Sequence, residues 1–336
     1  MRGQSRRQLI QGGLGLAGVG LLAGCGRAPV RRLWGSGPRR IGYLSLGSVA
    51  SSEVNLAAFR AGLADLGYVE GRDVTLEARY ENGRAETLPA LAAELVALPV
   101  EVILTDAYRG IRPIQQVSPT IPVVFTTADD PVADGYVDSM ARPGGSLTGL
   151  TMEAGQQEGR RLQLLREVAP SMTHVALLSN AAGLQPGRAR QIEAAAQVLG
   201  VQVVPLLLDR PDDLDLMMTG TLARRAQGLI MLGAAAFLAP LVPRIVELAA
   251  RNRWPSVSAT PSVARVGGLL GYGPNIPDLY RRAAGYVDKI LRGANPGELP
   301  IERPAKFEFV VNLKTARAIG VTVPVSMLAQ ATEVVQ

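Results

Sequence analysis

Few side chains in this sequence can do covalent chemistry. It has one cysteine, Cys25, and one histidine, His174. Disulfides, cysteine zinc sites and multi-histidine metal centres are therefore excluded. A Ser-His-Asp mechanism would have to run through His174, which opens a strand with no partner nearby and reads as structural. Asp129 and Asp130 form a carboxylate pair, but adjacent residues on an extended chain point apart, which is poor geometry for acid–base work. No Gly-x-Gly-x-x-Gly follows the first strand and no P-loop lysine pattern occurs, so no cofactor is expected. What remains is binding chemistry. In Ser45-Leu46-Gly47-Ser48 small hydroxyl residues precede a helix, whose free N–H groups suit an anion such as a carboxylate. The same residues could equally serve as caps.

The elements that must position such residues repeat as strand, loop, helix. Ile41–Leu46 reads as a strand, and Phe59, Leu63 and Leu66 as one face of the helix after it. Ser51 or Ser52 supplies an N-cap and Gly67 a stop. Val74–Ala78, Val100–Leu104 and Ile121–Thr126 are further strands, and Leu88, Leu91, Leu95 and Leu98 stripe a second helix. The pattern then restarts at Thr173–Leu178, with a helix face at Ile192, Ala195 and Leu199 and strands at Val201–Leu208 and Gly228–Leu232. Alternation of this kind predicts parallel sheets flanked by helices. Its recurrence predicts two similar lobes. The Gly-rich passage Gly267–Gly273, the helix Leu279–Leu291 and the strand Phe307–Val311 suit a chain that returns to the first lobe and crosses once more.

Composition agrees with a folded protein. The chain has 336 residues, 47% of them hydrophobic and 19% charged, enough for large cores. Its only lysines are Lys289, Lys306 and Lys314, and its arginines are scattered, so no nucleic-acid face is expected. Residues 1–24 read as a signal peptide. Arg2, Arg6 and Arg7 form its basic region, and their removal halves the formal charge of +6. The apolar run Gly12–Gly24 is too short for a comfortable membrane span. Ser5-Arg6-Arg7-Gln8-Leu9-Ile10 fits a twin-arginine signal or an ordinary basic region equally well. Leu22-Ala23-Gly24-Cys25 resembles the bacterial lipobox, in which the cysteine thiol takes a diacylglycerol and becomes the new N-terminus; the alternative is an incidental thiol. Residues 25–38 then form a lipid-anchored tether.

From Arg40 to about Glu333 the blocks "RIGYLSLGS", "AFRAGLADLGYVEGRDVTLEARY", "LPALAAELVALPVEVILT", "DPVADGYVDSMARPGGSLTGLT", "YGPNIPDLYRRAAGYVDKIL" and "KFEFVVNLKTARAIGVTVP" stand in order. In these the chain resembles the bacterial ABC-transporter substrate-binding proteins of the tryptophan- and tyrosine-type binders. The resemblance implies a type I periplasmic-binding-protein fold, an α/β architecture of two Rossmann-like lobes joined by three crossovers near Leu150, Gly271 and Ala305. Lobe 1 would comprise 39–149 plus 272–304, and lobe 2 150–271 plus 305–336. It also implies a small-molecule ligand, amino-acid-like in type, held in the interlobe cleft, because ligands of open α/β sheets sit beyond the carboxyl ends of the strands.

The cleft residues would come from the loops at those ends. In lobe 1 they are Ser45, Gly47 and Ser48, then Asp106, Ala107 and Tyr108, then Thr126 and Asp130. In lobe 2 they are Asn180, Gly233, Thr260 and Tyr272. Two departures fall there: Tyr108-Arg109 stands where the family usually has Thr-Pro, and Asn180-Ala181 where it usually has Asn-Pro. A tyrosine can stack on a planar ligand and an arginine can clamp a carboxylate; a solvated Arg109 is the alternative. The function implied is an exported, lipid-anchored, monomeric and non-enzymatic receptor. It would face the periplasm or the cell surface and deliver its ligand to an ABC permease driven by a separate ATPase. The competing readings are a sensory receptor feeding a membrane signalling protein and an exported α/β enzyme.

If Cys25 carries the lipid, Cys25→Ala should move the protein from the membrane to the soluble fraction on cell fractionation, since the acyl chains supply the durable anchoring. Unchanged membrane partition of the variant would remove Cys25 as the anchor.

Overall fold

The computed structural model describes residues 37–336, apart from Ala107, Asp129, Glu153, 181–182, Gln185, Leu222 and 233–237. Cys25, the leader and all but the end of the tether lie outside the described residues. The first lobe begins with β1 (Arg39–Ser45), α1 (Val49–Asp65), β2 (Val74–Tyr80), α2 (Leu88–Ala97), β3 (Val102–Thr105), α3 (Tyr108–Val117), β4 (Val123–Ala128) and β5 (Leu147–Thr151). These five strands form one parallel sheet in the order β2-β1-β3-β4-β5. Strands buried on both faces read as apolar runs, which is how "VILT" of β3 and "VVF" of β4 could be found.

The second lobe takes α4 (Ala154–Val168), β6 (His174–Ser179), α5 (Pro186–Val198), β7 (Gln202–Leu207), α6 (Leu214–Thr219), β8 (Leu229–Met231), α7 (Val242–Arg251), β9 (Ser256–Ser258), α8 (Ser262–Arg265) and β10 (Leu270–Pro274). The chain returns to the first lobe as α9 (Ile276–Leu291). It then re-enters the second as β11 (Phe307–Asn312), α10 (Leu313–Ile319), α11 (Val325–Gln330) and β12 (Glu333–Val335). The second sheet runs β12-β11-β10-β9-β8-β6-β7, and only β10 with β11 is antiparallel.

Each sheet carries helices on both faces. In the first lobe one face buries Ile41, Tyr43, Phe59, Leu63 and Tyr280 under α1 and α9. The other buries Leu44, Leu95, Ile103, Ile114 and Phe125 under α2 and α3. α1 and α9 approach so closely at Gly62 that a Cβ there would lie 2.3 Å from the Arg281 carbonyl oxygen, so only glycine fits. That contact seats α9, late in sequence, on the first lobe.

Two of the expected crossings move. β5 runs through Leu150 and Thr151, which therefore belong to the first sheet. β10 keeps Gly271, Tyr272 and Gly273 in the second sheet, paired with Phe309 and its neighbours on β11. The second crossing thus falls at Asn275, where the residue stops pairing and caps α9 by accepting from the Asp278 N–H at 2.7 Å. The three crossings are tied to one another. Thr151 N donates to Glu302 O at 2.9 Å, Glu302 N to Gly149 O at 3.1 Å, and Asn275 N to Lys306 O at 3.0 Å. Lys306 and Asp278 pair across the last two at 2.7 Å, and Arg282 pairs with Glu302.

Candidate functional site

The parallel strands of each sheet end in loops that carry most of the polar residues singled out above. In the first lobe Ser45, at the end of β1, is fully buried. Its Oγ donates to Asp106 Oδ2 at 3.0 Å, lies 2.7 Å from Ser52 Oγ, and accepts from Gly47 N at 3.0 Å. A Cβ at Gly47 would sit 2.5 Å from Ser51 Oγ, so a larger residue there would push that hydroxyl out of the α1 capping box. Ser48 is the N-cap of α1 and forms a capping box with Ser51, so its hydroxyl serves the helix. Asp106 follows β3 and accepts from Leu46 N at 2.7 Å. Burial pushes its carboxyl up to about 7; the Leu46 and Ser45 donors pull it down and the neighbouring Glu81 adds to the rise.

The other first-lobe residues separate. Thr126 is buried on β4, its hydroxyl 3.4 Å from the Thr105 carbonyl. Asp130 is exposed and accepts from Ala133 N at 3.0 Å, which makes it the cap of a turn. Tyr108 opens α3, and Ala107 lies outside the described residues. Arg109 is neither a free clamp nor a solvated surface group. Its Nη2 donates to Glu81 Oε1 at 2.9 Å, with Arg109 about a third exposed and Glu81 almost wholly buried.

In the second lobe Asn180 closes the loop after β6, accepting from Gly183 N at 2.8 Å on Oδ1. Thr260 follows β9 and its N–H donates to Ser258 Oγ at 3.0 Å. Tyr272 stacks on Phe307, with ring centroids 5.9 Å apart and planes 14° from parallel, and meets Phe309 edge-on. Gly233 lies outside the described residues. His174 begins β6, at the amino end of the sheet and away from these loops, with Nδ1 2.9 Å from Thr173 Oγ1.

Two charged groups were not foreseen. Glu81 directly follows β2, so its position at a carboxyl strand end was readable by the rule that found Asp106. Its N–H donates to Ser45 O at 2.9 Å. Burial raises its carboxyl above the ordinary glutamate range, against the pull of Arg109. The second group is Glu158, Arg161 and Arg188. Glu158 and Arg161 are 1% exposed and pair at 2.7 Å. Arg188 Nε reaches Glu158 Oε1 at 3.1 Å from the first turn of α5, and Arg161 Nε donates to Tyr272 O at 2.8 Å. The signal was a break in pattern: positions 158 and 161 fall on the α4 face that Leu162 and Leu165 bury. A groove of about 310 Å³ lined by Met172, Gln227, Pro255 and Thr322 lies at the amino ends of the second-lobe strands. It has no charged lining residue and is not the candidate.

The family described as "ABC transporter substrate binding protein" matches residues 50–335. The tyrosine-binding protein of Clostridioides difficile (strain R20291) is 18% identical over 313 residues, which cover 91% of this chain and 90% of that protein. Among solved structures, the L-Trp complex of an ABC domain from Streptococcus pneumonia superposes with a TM-score of 0.80 at 20% identity, over 89% of this chain and 100% of that one. A conserved domain protein from Vibrio cholerae gives 0.79 at 21%, over 88% and 99%. These likenesses carry the fold, a type I periplasmic-binding-protein architecture.

The Arg109–Glu81 pair predicts a pH-dependent stability difference. Glu81 is held above its unfolded value, so its ionisation opposes folding as pH rises, and Arg109 offsets that. Arg109→Gln should cost little near pH 3, below the ordinary glutamate range, where Glu81 is protonated folded and unfolded alike. By about pH 8 it should cost about 2 kcal/mol, below the roughly 3–5 kcal/mol of wholly buried pairs because Arg109 is partly exposed. Urea unfolding of both proteins at the two pH values measures this. An equal loss at both would contradict it.

Proposed function

Because the chain belongs to the ABC transporter substrate-binding proteins, we propose that it captures a small amino-acid-like solute between its two lobes and delivers it to a membrane permease powered by a separate ATPase. The observation that carries this reading is the arrangement of the loops: polar residues gather at the carboxyl ends of both sheets, and three hydrogen-bonded crossings join the lobes. Such a joint lets two rigid lobes rotate about a few backbone positions and enclose what lies between them. The first lobe would contribute the Ser45–Ser48 turn, Asp106 with the start of α3, and Thr126. The second would contribute Asn180, Thr260 and the Gly233 loop, with Tyr272 near the joint.

An aromatic amino acid is the solute class proposed, since one relative is a tyrosine-binding protein and a structural neighbour holds L-Trp. Arg188 in the first turn of α5 and Arg161 midway along α4 share Glu158, which leaves one net positive charge there to suit a solute carboxylate. Export and anchoring through Cys25 complete the proposal and fit a receptor that meets its solute outside the cytoplasm. No helix among the described residues is long and apolar enough to cross a membrane.

Native mass spectrometry of protein purified without added ligand tests this reading. One small solute should co-purify, leave on denaturation chemically unchanged, and rebind the stripped protein stoichiometrically. Conversion of that solute to a product by the protein would overturn it in favour of an enzyme.

A further inference from the structure

Glu81 and Asp106 follow β2 and β3, the two neighbours of β1 in the sheet. Both are tied to the exit of β1: the Glu81 N–H donates to Ser45 O, and Asp106 accepts from Leu46 N and Ser45 Oγ. Two carboxyl groups therefore flank one turn, with a single guanidinium, that of Arg109, to balance them among the described residues. Arg109 takes Glu81 Oε1, while Glu81 Oε2 is buried without a partner among the described residues. Asp106 is met only by neutral donors among the described residues. Closing such a site from water leaves it short of one positive charge.

A second observation points to the same place. The hydroxyls of Tyr43 on β1 and Tyr280 on α9 are wholly enclosed and complete no hydrogen bond among the described residues. Their rings meet edge-on at 6.3 Å. Ser45 and Ser52 come near the Tyr43 hydroxyl, Thr126 comes near that of Tyr280, and the two hydroxyls come near each other, none within full hydrogen-bond geometry; both phenols also feel the charge of Asp106. Two orphaned hydroxyls and two under-balanced carboxyls thus converge on the carboxyl end of β1. An –NH3⁺ group has three donors and no acceptor, which is what this set of oxygens lacks.

Resting on the solute-binding reading above, we propose that Asp106 and Glu81 are the receptor for the ammonium group of the solute, with Arg109 as the positioning residue that holds Glu81. This makes the acid pair the determinant that separates amines from deaminated acids of the same shape.

The assignment carries a proton with it. Among the described residues, six elements bring polar groups to Asp106. β1 offers Tyr43 and Ser45, α1 offers Ser52, β2 leads into Glu81, α3 carries Arg109, β4 carries Thr126 and α9 carries Tyr280. Burial holds the Asp106 carboxyl up at about 7 and pushes Tyr43 up to about 12, with Tyr280 well above its usual value, so the phenols stay neutral. Below about pH 7 the empty pair keeps a proton on Asp106. An arriving ammonium discharges it, so affinity should rise with pH by up to about tenfold per unit until that carboxyl is ionised in the empty protein.

The test is isothermal calorimetry with L-tryptophan and L-tyrosine against indole-3-propionate and 3-(4-hydroxyphenyl)propionate, which lack only the ammonium. It is run from about pH 6 to 8 in buffers of different ionisation heat. The amino acids should bind roughly thirtyfold or more tighter than the deaminated acids, tighten toward pH 8, and release a proton near pH 6. Asp106→Asn, which still accepts from Leu46 N, should flatten the pH profile. Proton release by the wild type needs no variant and stands if that one does not fold. Deaminated acids binding within threefold of their parents would overturn the assignment and leave the solute-binding reading intact, as would pH-independent binding without proton release. Binding of none of the four would overturn it too, while mass spectrometry still decides the broader reading.

Discussion

Everything proposed for this molecule depends on a short stretch of backbone pairing, Leu150–Thr151 against Glu302. There the first and third crossings run side by side, and the Asn275–Lys306 hydrogen bond adds the second. Main-chain hydrogen bonds fix position without filling volume, so the joint can hold two lobes in register while changing its dihedral angles. Side chains then brace it: Tyr286 donates to the Pro300 carbonyl at 2.5 Å, and Asp278 links α9 to Lys306. A hinge made from a packed core would resist bending, because cores are close-packed and lose contacts at once when moved.

The first lobe carries a stability cost at the proposed site. Its α1/α9 face is closed by apolar side chains for most of the length of β1, but at the carboxyl end it holds Ser45, Ser52, Asp106 and the two phenols. An apolar floor there would be more stable, since unpaired buried hydroxyls and carboxyls lose solvation without full return. Glu81 and Glu158 repeat the pattern, each with one carboxylate oxygen served by arginine and the other unserved among the described residues. The gathering of Ser45, Glu81 and Asp106 at strand ends, where ligands of open sheets sit, is what supports the proposed site.

Much of the fold was legible in the sequence. Parallel strands covered on both faces appear as short apolar runs, and helices between them as leucine or alanine stripes closed by Gly67 or Gly200. The crossings were less so. β10 is glycine-rich and finds its partner β11 more than thirty residues later, so nothing local marks Tyr272 as the property of the second sheet. Asp106 was legible because it ends a clear strand and begins a helix. The strand-end position of Glu81 was readable and Glu158 and Arg161 broke the apolar pattern of α4, but the burial of all three was not legible, because a charged residue reads as solvated until another element is seen to cover it. Tyr280 joins the site only because Gly62 lets α9 press against α1, a contact between segments about two hundred residues apart.

The central claim is that the two lobes close over a solute by bending at the paired crossings. Small-angle scattering on solute-stripped protein, before and after adding back the co-purified compound, measures this most directly. The account predicts a smaller radius of gyration at saturation, with the dimensions returning when the compound is dialysed away. A scattering curve that does not change while calorimetry shows the site full would contradict it.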